Sequence, residues 1–287
     1  MAEGARCDMG DGARDLDPAS LVQGWFEVLA PEPGIYTIVE PLHVEQVKSN
    51  LIVGDERAML IDTGMGVGDI RSVVEGLTDR PVFVVNSHAH WDHIGGNWRF
   101  EEIWIHEAEA AWLSKGIGNE RLQRWFAPEN LSGPLPPGFD PTSATVQPSH
   151  PNGVLQGGEA FNLGGRTLEV IHCPGHSPGG IALFDPDFGV LFSTDVAYPH
   201  DLYAYSSEAD LRAYHRSLTR LALLTPVLRT VYPSHGASPM EPALLPAMRD
   251  AVGDILGGRQ ADRIHGEIAR HEFEGFTVLT DAKGAAG

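Results

Sequence analysis

Short apolar runs, rich in Val, Ile and Leu, recur along the chain and are separated by loop-forming residues. They occupy residues 35–40, 50–53, 58–62 and 82–86 in the first half, and 166–173, 180–184, 190–195 and 229–236 in the second. Runs of this length and composition predict buried β-strands. The segment DPDFG at 185–189 predicts a hairpin turn between two of them. The two halves therefore have a similar predicted plan.

Two amphipathic helices are predicted after the second group of strands. Ser207 and Asp210 form an S-x-x-D start signal for the first helix. The second helix covers residues 241–258, where two glycines end it. The apolar residues of the first helix recur at helical spacing: Leu211, Tyr214, Leu218 and Leu221.

The predicted domain organisation is a mobile N-terminal tail at 1–22, followed by a single domain at 23–287. Within the domain, the segment at about 116–151 contains seven prolines, which exclude continuous helix or sheet. We interpret it as a lid-like insertion whose Trp125 and Phe126 form an apolar wall for the substrate. The alternative is that these aromatic residues only anchor the loop.

Composition narrows the class of partner. The 287 residues include 39 acidic and 20 basic residues, for a formal net charge of −19, which disfavours nucleic acids and anionic membranes as partners. Cys7 and Cys173 are too few for a disulfide framework. The acidic N-terminal residues have no apolar run and do not resemble a secretory signal, and no apolar stretch of about 18 residues is found in this sequence. We expect a cytoplasmic protein with a small-molecule substrate, and the sequence leaves a homodimer open.

Metal-ligating side chains are concentrated where predicted strands end. The stretch HAHWDH contains His88, His90, Asp92 and His93 directly after the strand at 82–86. A lone histidine is more often a hydrogen-bonded core residue than a ligand. Here, however, three further candidates also lie where predicted strands run into loops: His176, Asp195 and His235. Seven such residues predict a metal site, because imidazole and carboxylate groups at strand ends can converge on cations.

These motifs are similar to those of the metallo-β-lactamase fold superfamily. The similar stretches are HAHWDH, LIDTG around Asp62, PGHSPGG, FSTD and PSHG, between about residues 33 and 240. The resemblance implies an α/β fold, an αββα four-layer sandwich with metals at one edge. It further implies that His88, His90 and His176 hold one metal, that Asp92, His93 and His235 hold the other, and that Asp195 bridges both. Asp62 resembles the family's buried aspartate, which orients the ligand loop without binding metal.

The expected activity is hydrolysis of an activated acyl bond, in a thioester such as acyl-CoA or in a lactone. Two divalent metal ions per chain would activate a bridging hydroxide as the nucleophile, and Asp92 could also take a proton. The ligand set suits zinc, our first choice, as well as iron or manganese.

The substrate class has several alternatives. Glutathione thioesterases of the glyoxalase II type are similar in HAHWDHIGGN, but Ala204 stands where that family has a lysine. β-Lactamases with a cysteine ligand are disfavoured by Asp195. N-acyl homoserine lactonases and the palmitoyl-CoA hydrolase of this fold are more similar, because Tyr198 follows Asp195 by three residues and could act on the substrate oxygen. The hydrolase is also similar in IWIHEAEA at 103–110. A mononuclear iron persulfide dioxygenase and a metal-containing binding protein are the remaining alternatives.

Overall fold

The computed structural model describes residues 21–22 and 24–282. Within them the first sheet has eight strands in chain order, antiparallel up to the fifth and parallel from there to the eighth. The strands are β1 (Leu21–Val22), β2 (Phe26–Glu32), β3 (Ile35–Val39), β4 (Lys48–Val53), β5 (Ala58–Ile61), β6 (Val82–Val85), β7 (Ile103–His106) and β8 (Gly153–Leu155). Parallel strands need crossover connections, and these connections carry α1 (Ile70–Leu77), α2 (Trp91–Ile94), α3 (Ala110–Leu113) and α4 (Asn119–Leu122).

The second sheet has the strand order β14, β12, β11, β10, β9 among the described residues. Its strands are β9 (Ala160–Asn162), β10 (Thr167–His172), β11 (Ile181–Asp185), β12 (Val190–Thr194) and β14 (Thr230–Pro233). β11 and β12 form the predicted hairpin, and β14 pairs parallel with β12. Each of the eight strands predicted from the sequence is confirmed as part of one of these two sheets.

A smaller third sheet was not predicted. It has the order β13 (Asp201–Ala204), β17 (Phe276–Asp281), β16 (Ile268–Phe273), β15 (Arg263–His265). β13 pairs parallel with β17, so the segment after Asp195 is joined to the C-terminal hairpin. The short length of β13 and the exposed residues of β15 give little apolar pattern to read.

The layers follow from the two-sided burial of the strands. Consecutive residues of a strand point to opposite faces, so Ile52 lies between the two large sheets while Leu51 lies under the helical layer. The inner layer also contains Met59 and Phe83 of the first sheet and Leu183 of the second. Helix α1 covers the outer face of the first sheet, and α5 (Leu211–Ala222) and α6 (Leu244–Leu256) cover that of the second. The predicted αββα sandwich is confirmed.

Two details of the predicted helices and tail differ from the structure. The N-cap of α5 is Asp210, whose carboxylate accepts a hydrogen bond from Ala213 N at 2.9 Å. The helix therefore starts directly after Asp210, the second residue of the S-x-x-D signal, and Ser207 does not cap it. The predicted tail at 1–22 lies outside the described residues except for its end, which pairs with β2 as strand β1.

The proline-rich segment forms the connection between β7 and β8. Beyond α4 and a short 3₁₀ turn at Pro128–Asn130 it has little regular structure among its residues, as its prolines predicted. It is held against residues 42–44 by two backbone hydrogen bonds, from Val44 N to Asn130 O and from Ser132 N to Leu42 O. Separately, no helix among the described residues has the length and apolar character that crossing a membrane requires.

Candidate metal centre

The seven predicted ligand residues converge in space. Four of them lie on the loop that leaves β6 and on the helix α2 that follows it. The other three come from separate loops of the second half, after β10, β12 and β14. They are His88, His90, Asp92, His93, His176, Asp195 and His235.

The first cluster joins the two halves of the molecule. It consists of His88, His90 and His176, whose potential ligand atoms all lie within 4.8 Å of one another. His88 Nε2 and His176 Nε2 each lie 2.9 Å from His90 Nδ1. Three imidazole nitrogens facing one point form a suitable set for a transition-metal cation.

The second cluster consists of Asp92, His93 and His235. Asp92 Oδ2 lies 3.6 Å from the Nε2 atoms of both histidines, and these two nitrogens are 3.4 Å apart. Two ligand atoms bound to one cation in tetrahedral geometry are roughly 3.4 Å apart, because each bond is about 2.1 Å long. The spacing of this cluster therefore suits a shared cation.

Asp195 lies between the two clusters. Its Oδ2 is 3.6 Å from His176 Nε2 and 3.3 Å from His235 Nε2, and its Oδ1 is 3.4 Å from His93 Nε2. Oδ1 is buried and has no hydrogen-bond partner among the described residues. A buried carboxylate oxygen is costly without a partner, so this unsatisfied atom fits a cation held between the histidines.

Hydrogen bonds to the outer nitrogens orient four of the histidines. In each case Nδ1 bonds to an oxygen, which directs the Nε2 lone pair into the centre. The partners are Ser87 Oγ for His88 at 2.9 Å, Asp62 Oδ2 for His93 at 2.8 Å, Tyr203 O for His176 at 2.8 Å and Glu45 O for His235 at 2.8 Å. The remaining histidine, His90, presents Nδ1 to the first cluster.

Asp62 lies behind the second cluster, in the position that the resemblance implied. It is fully buried and accepts hydrogen bonds from Ser87 N at 2.7 Å and Ser87 Oγ at 2.6 Å, in addition to its contact with His93. The loop that carries Asp62 packs tightly on the ligand loop, because a Cβ atom at Gly95 would lie 2.2 Å from the Met65 backbone. This loop pair fixes the orientation of His93.

The two clusters differ in their protonation. Burial, reinforced by the neighbouring imidazoles, lowers the pKa of His88 and of His90 well below the ordinary value. Burial also acts on His93 and His235, but the carboxylates outweigh it. The pKa of His93 is raised well above its ordinary value, and that of His235 is raised to about 9. The carboxylates that favour protonated His93 and His235 would equally favour a metal cation, which would displace those protons on binding.

Two glutamates at the centre were missed from the sequence. The carbonyl of Glu45 accepts the His235 hydrogen bond, and burial raises the pKa of the Glu45 carboxyl to about 7. Glu109 accepts hydrogen bonds from backbone N–H groups of both ligand loops. Glu45 lies in no recognisable motif. Glu109 lies in the IWIHEAEA stretch, which carried only a resemblance and no assigned role.

Tyr198 lies beside the second cluster, with its ring centroid 5.4 Å from that of His235. Its side chain is fully buried, and its hydroxyl donates a hydrogen bond to Asp201 O at 2.6 Å. The burial of Tyr198 raises the pKa of its hydroxyl well above the ordinary value. The hydroxyl proton of Tyr198 is thus donated within the protein. A role of this hydroxyl toward a substrate oxygen stays a prediction.

The two aromatic residues predicted to line the substrate site have different surroundings. Trp125 is half-buried and stacks on Trp91 of the ligand loop, with centroids 5.3 Å apart and planes at 18°. Phe126 is only 4% exposed and packs edge-on against Trp91 and Phe139. Phe126 is thus enclosed by other side chains, whereas Trp125 retains the exposed surface that a substrate wall needs, and the role of both toward substrate stays a prediction.

Comparison with known proteins places the chain among metallo-hydrolases. Residues 43–235 match the family model described as "Metallo-beta-lactamase superfamily". The chain is 33% identical over 224 residues to "Acyl-coenzyme A thioesterase MBLAC2" of Gallus gallus, covering 74% of this chain and 80% of that protein. It is 27% identical over 164 residues to "Hydroxyacylglutathione hydrolase GloC" of Haemophilus influenzae, covering 55% of this chain and 70% of that protein.

A solved structure with the same fold is "Metallo-beta-lactamase from Pontibacter korlensis". It matches with a TM-score of 0.60 and 19% identity, over 80% of this chain and 99% of that chain. The family fold implies divalent metal binding, and the histidine and aspartate clusters provide residues able to hold the metal. The chain belongs to the metallo-β-lactamase superfamily of hydrolases.

Proposed function

We propose that the protein is a dinuclear metal-dependent acyl thioesterase whose substrates are acyl-CoA esters. The observation that carries the dinuclear part is the position of the Asp195 carboxylate, whose oxygens lie 3.3–3.6 Å from histidines of both clusters. The similarity to an acyl-CoA thioesterase at 33% identity supports the thioester substrate. Zinc is the proposed metal, because histidine and carboxylate ligands without thiolate suit it.

When bound, two such cations lower the pKa of a water molecule and polarise the substrate carbonyl. His88, His90 and His176 would hold one cation, and Asp92, His93 and His235 the other. Asp195 has Oδ2 near His176 of the first cluster and His235 of the second, and Oδ1 near His93, so its carboxylate would hold both cations.

Asp92 has a second role in this proposal. Its carboxylate lies at the edge of the second cluster and is 10% exposed, in contrast to the fully enclosed His93. A carboxylate in that position can accept a proton during attack on the acyl carbon and deliver it to the leaving thiolate.

The glutathione thioesterase alternative has one observation in its favour, the 27% identity to the Haemophilus hydrolase. Against it, β13 carries Ala204 where a lysine would bind glutathione, and this alanine is buried. The Tyr198 spacing is shared by the lactonases and the palmitoyl-CoA hydrolase, so the bond of its hydroxyl to Asp201 O does not separate these two. The 33% identity to an acyl-CoA thioesterase favours the thioester. We therefore place acyl-CoA esters first.

Metal analysis combined with a substrate panel tests the proposal. Purified protein should contain two equivalents of zinc. It should hydrolyse long- and short-chain acyl-CoA esters faster than N-acyl homoserine lactones or glutathione thioesters. Removal of metal with a chelator should abolish the activity, and zinc should restore it. One equivalent of iron with oxygen consumption on a persulfide, or full metal occupancy without turnover on any ester, would contradict the proposal.

A further inference from the structure

A buried glutamate outside the seven ligand residues lies between the two ligand loops. Glu109 is fully buried, just before helix α3. Its Oε2 accepts a hydrogen bond from Ala89 N at 2.5 Å, and its Oε1 accepts one from Gly179 N at 2.6 Å. Ala89 is the residue between His88 and His90. One carboxylate thus joins the HAHWDH loop of the first half to the PGHSPGG loop of the second.

The second loop is shaped to receive this side chain. Gly179 lies three residues after His176, and a Cβ atom at Gly179 would lie 2.9 Å from Glu109 Cγ and 3.0 Å from its Cδ. Any larger residue would push the carboxylate away from the loop. The absence of a side chain at Gly179 is therefore a requirement of the Glu109 contact.

We propose that Glu109 is a positioning residue for the first cluster. This inference rests on the proposed metal-binding function. The ligands of the first cluster come from both loops, so their spacing depends on how far apart the loops are held. A carboxylate that accepts one backbone N–H from each loop sets that distance within the narrow range of a hydrogen bond. The second cluster instead has Asp62 behind it.

The substitution Glu109→Gln tests the role with little change in volume. An amide has one acceptor oxygen and one donor nitrogen, so one of the two backbone N–H groups would face another donor. Cobalt(II) would be titrated into metal-free protein, followed by visible absorbance and calorimetry. We expect the affinity of one metal site to fall by about 10- to 100-fold and the other to change much less.

Glu107→Gln is the matched control. Glu107 lies two residues away, is exposed, and contacts the Gln156 side chain rather than a ligand loop. Its substitution should leave both cobalt affinities unchanged. Gly179→Ala is the second variant, because it displaces the Glu109 carboxylate without removing it. It should reproduce the selective loss, and it decides the question if Glu109→Gln does not fold.

Equal affinities in wild-type and Glu109→Gln protein would overturn the proposal. So would an equal loss at both sites that accompanies a lower melting temperature, because that pattern indicates a general structural role. Wild-type protein that binds one equivalent of cobalt would contradict the dinuclear function separately. In that case the ratio of wild-type to variant affinity at the single site still decides the role of Glu109.

Discussion

The two ligand clusters contain equal numbers of residues but are built on different principles. Both draw ligands from both halves of the molecule, but the first has three imidazoles, and the two loops that carry them share hydrogen bonds to Glu109. The second contains a carboxylate, and Asp62 contacts one of its histidines from behind. Burial lowers the pKa of His88 and of His90 well below the ordinary value, whereas the carboxylates raise the pKa of His235 to about 9. The first cluster is thus sensitive to geometry and the second to charge.

The largest expected effect is at the residue that both clusters share. Asp195→Ala should remove both metals and lower turnover by several orders of magnitude, because both sites lose an anionic ligand. The fold should survive on its apolar core. Metal analysis, turnover and circular dichroism measure the three outcomes. An Asp195→Ala variant that keeps two metals and normal turnover would contradict the proposal that Asp195 serves both clusters.

A smaller and more selective effect is expected at Asp62. Asp62→Ala removes the hydrogen-bond partner of His93 Nδ1 and of Ser87 N. We expect metal affinity at the second cluster to fall by about 10- to 100-fold, with a smaller loss at the first. Competitive titration with a metal-binding dye measures both sites. Glu109→Gln should show the opposite selectivity, and the same selectivity in both variants would mean that the clusters have no separate supports.

The aromatic residues next to the ligand loop should respond differently from each other. Phe126→Ala should lower the free energy of unfolding by about 3–5 kcal/mol, because it leaves a cavity in the core. Trp125→Ala should instead raise KM for long-chain acyl-CoA esters more than for short ones, since each buried methylene contributes about 0.8 kcal/mol. Denaturant unfolding and KM across a chain-length series separate the two. A uniform KM increase in Trp125→Ala, with reduced stability, would assign it an anchoring role as well.

The smallest effect is expected at Tyr198. Because its hydroxyl donates to Asp201 O in a buried environment, Tyr198→Phe should lower stability by about 1–3 kcal/mol. Turnover should change little, and metal content should stay constant. Thermal unfolding and steady-state kinetics test this. A turnover loss of about 10- to 100-fold at unchanged melting temperature would support the role toward substrate that the sequence suggested.

The sequence by itself determined the sandwich and the set of residues that converge. Most of the eight predicted strands are apolar on both faces because sheet and helix layers cover them, so local composition was enough to recognise them. Strands such as β2 and β9 are partly exposed and were not predicted. Four of the converging residues stand within one hexapeptide, and His176, Asp195 and His235 follow recognisable strands. The strands at 263–281 were missed. β15 is exposed and carries no buried pattern, whereas β17 is buried along FTVLT and its apolar run was overlooked.

Only the tertiary structure decided which side chains hydrogen-bond to the metal-ligand loops and which make their hydrogen bonds to other parts of the protein. Glu109 lies 20 residues from Ala89 and 70 from Gly179 in the chain, and no periodicity connects positions so far apart. Tyr198 is a different case, because the Asp201 O that accepts its hydrogen bond lies only three residues along the chain. The spacing of Tyr198 from Asp195 suggested a role toward substrate but did not give the direction of the hydroxyl. Hydrogen bonds depend on distance and direction in space, and local sequence patterns specify neither for residues on different loops.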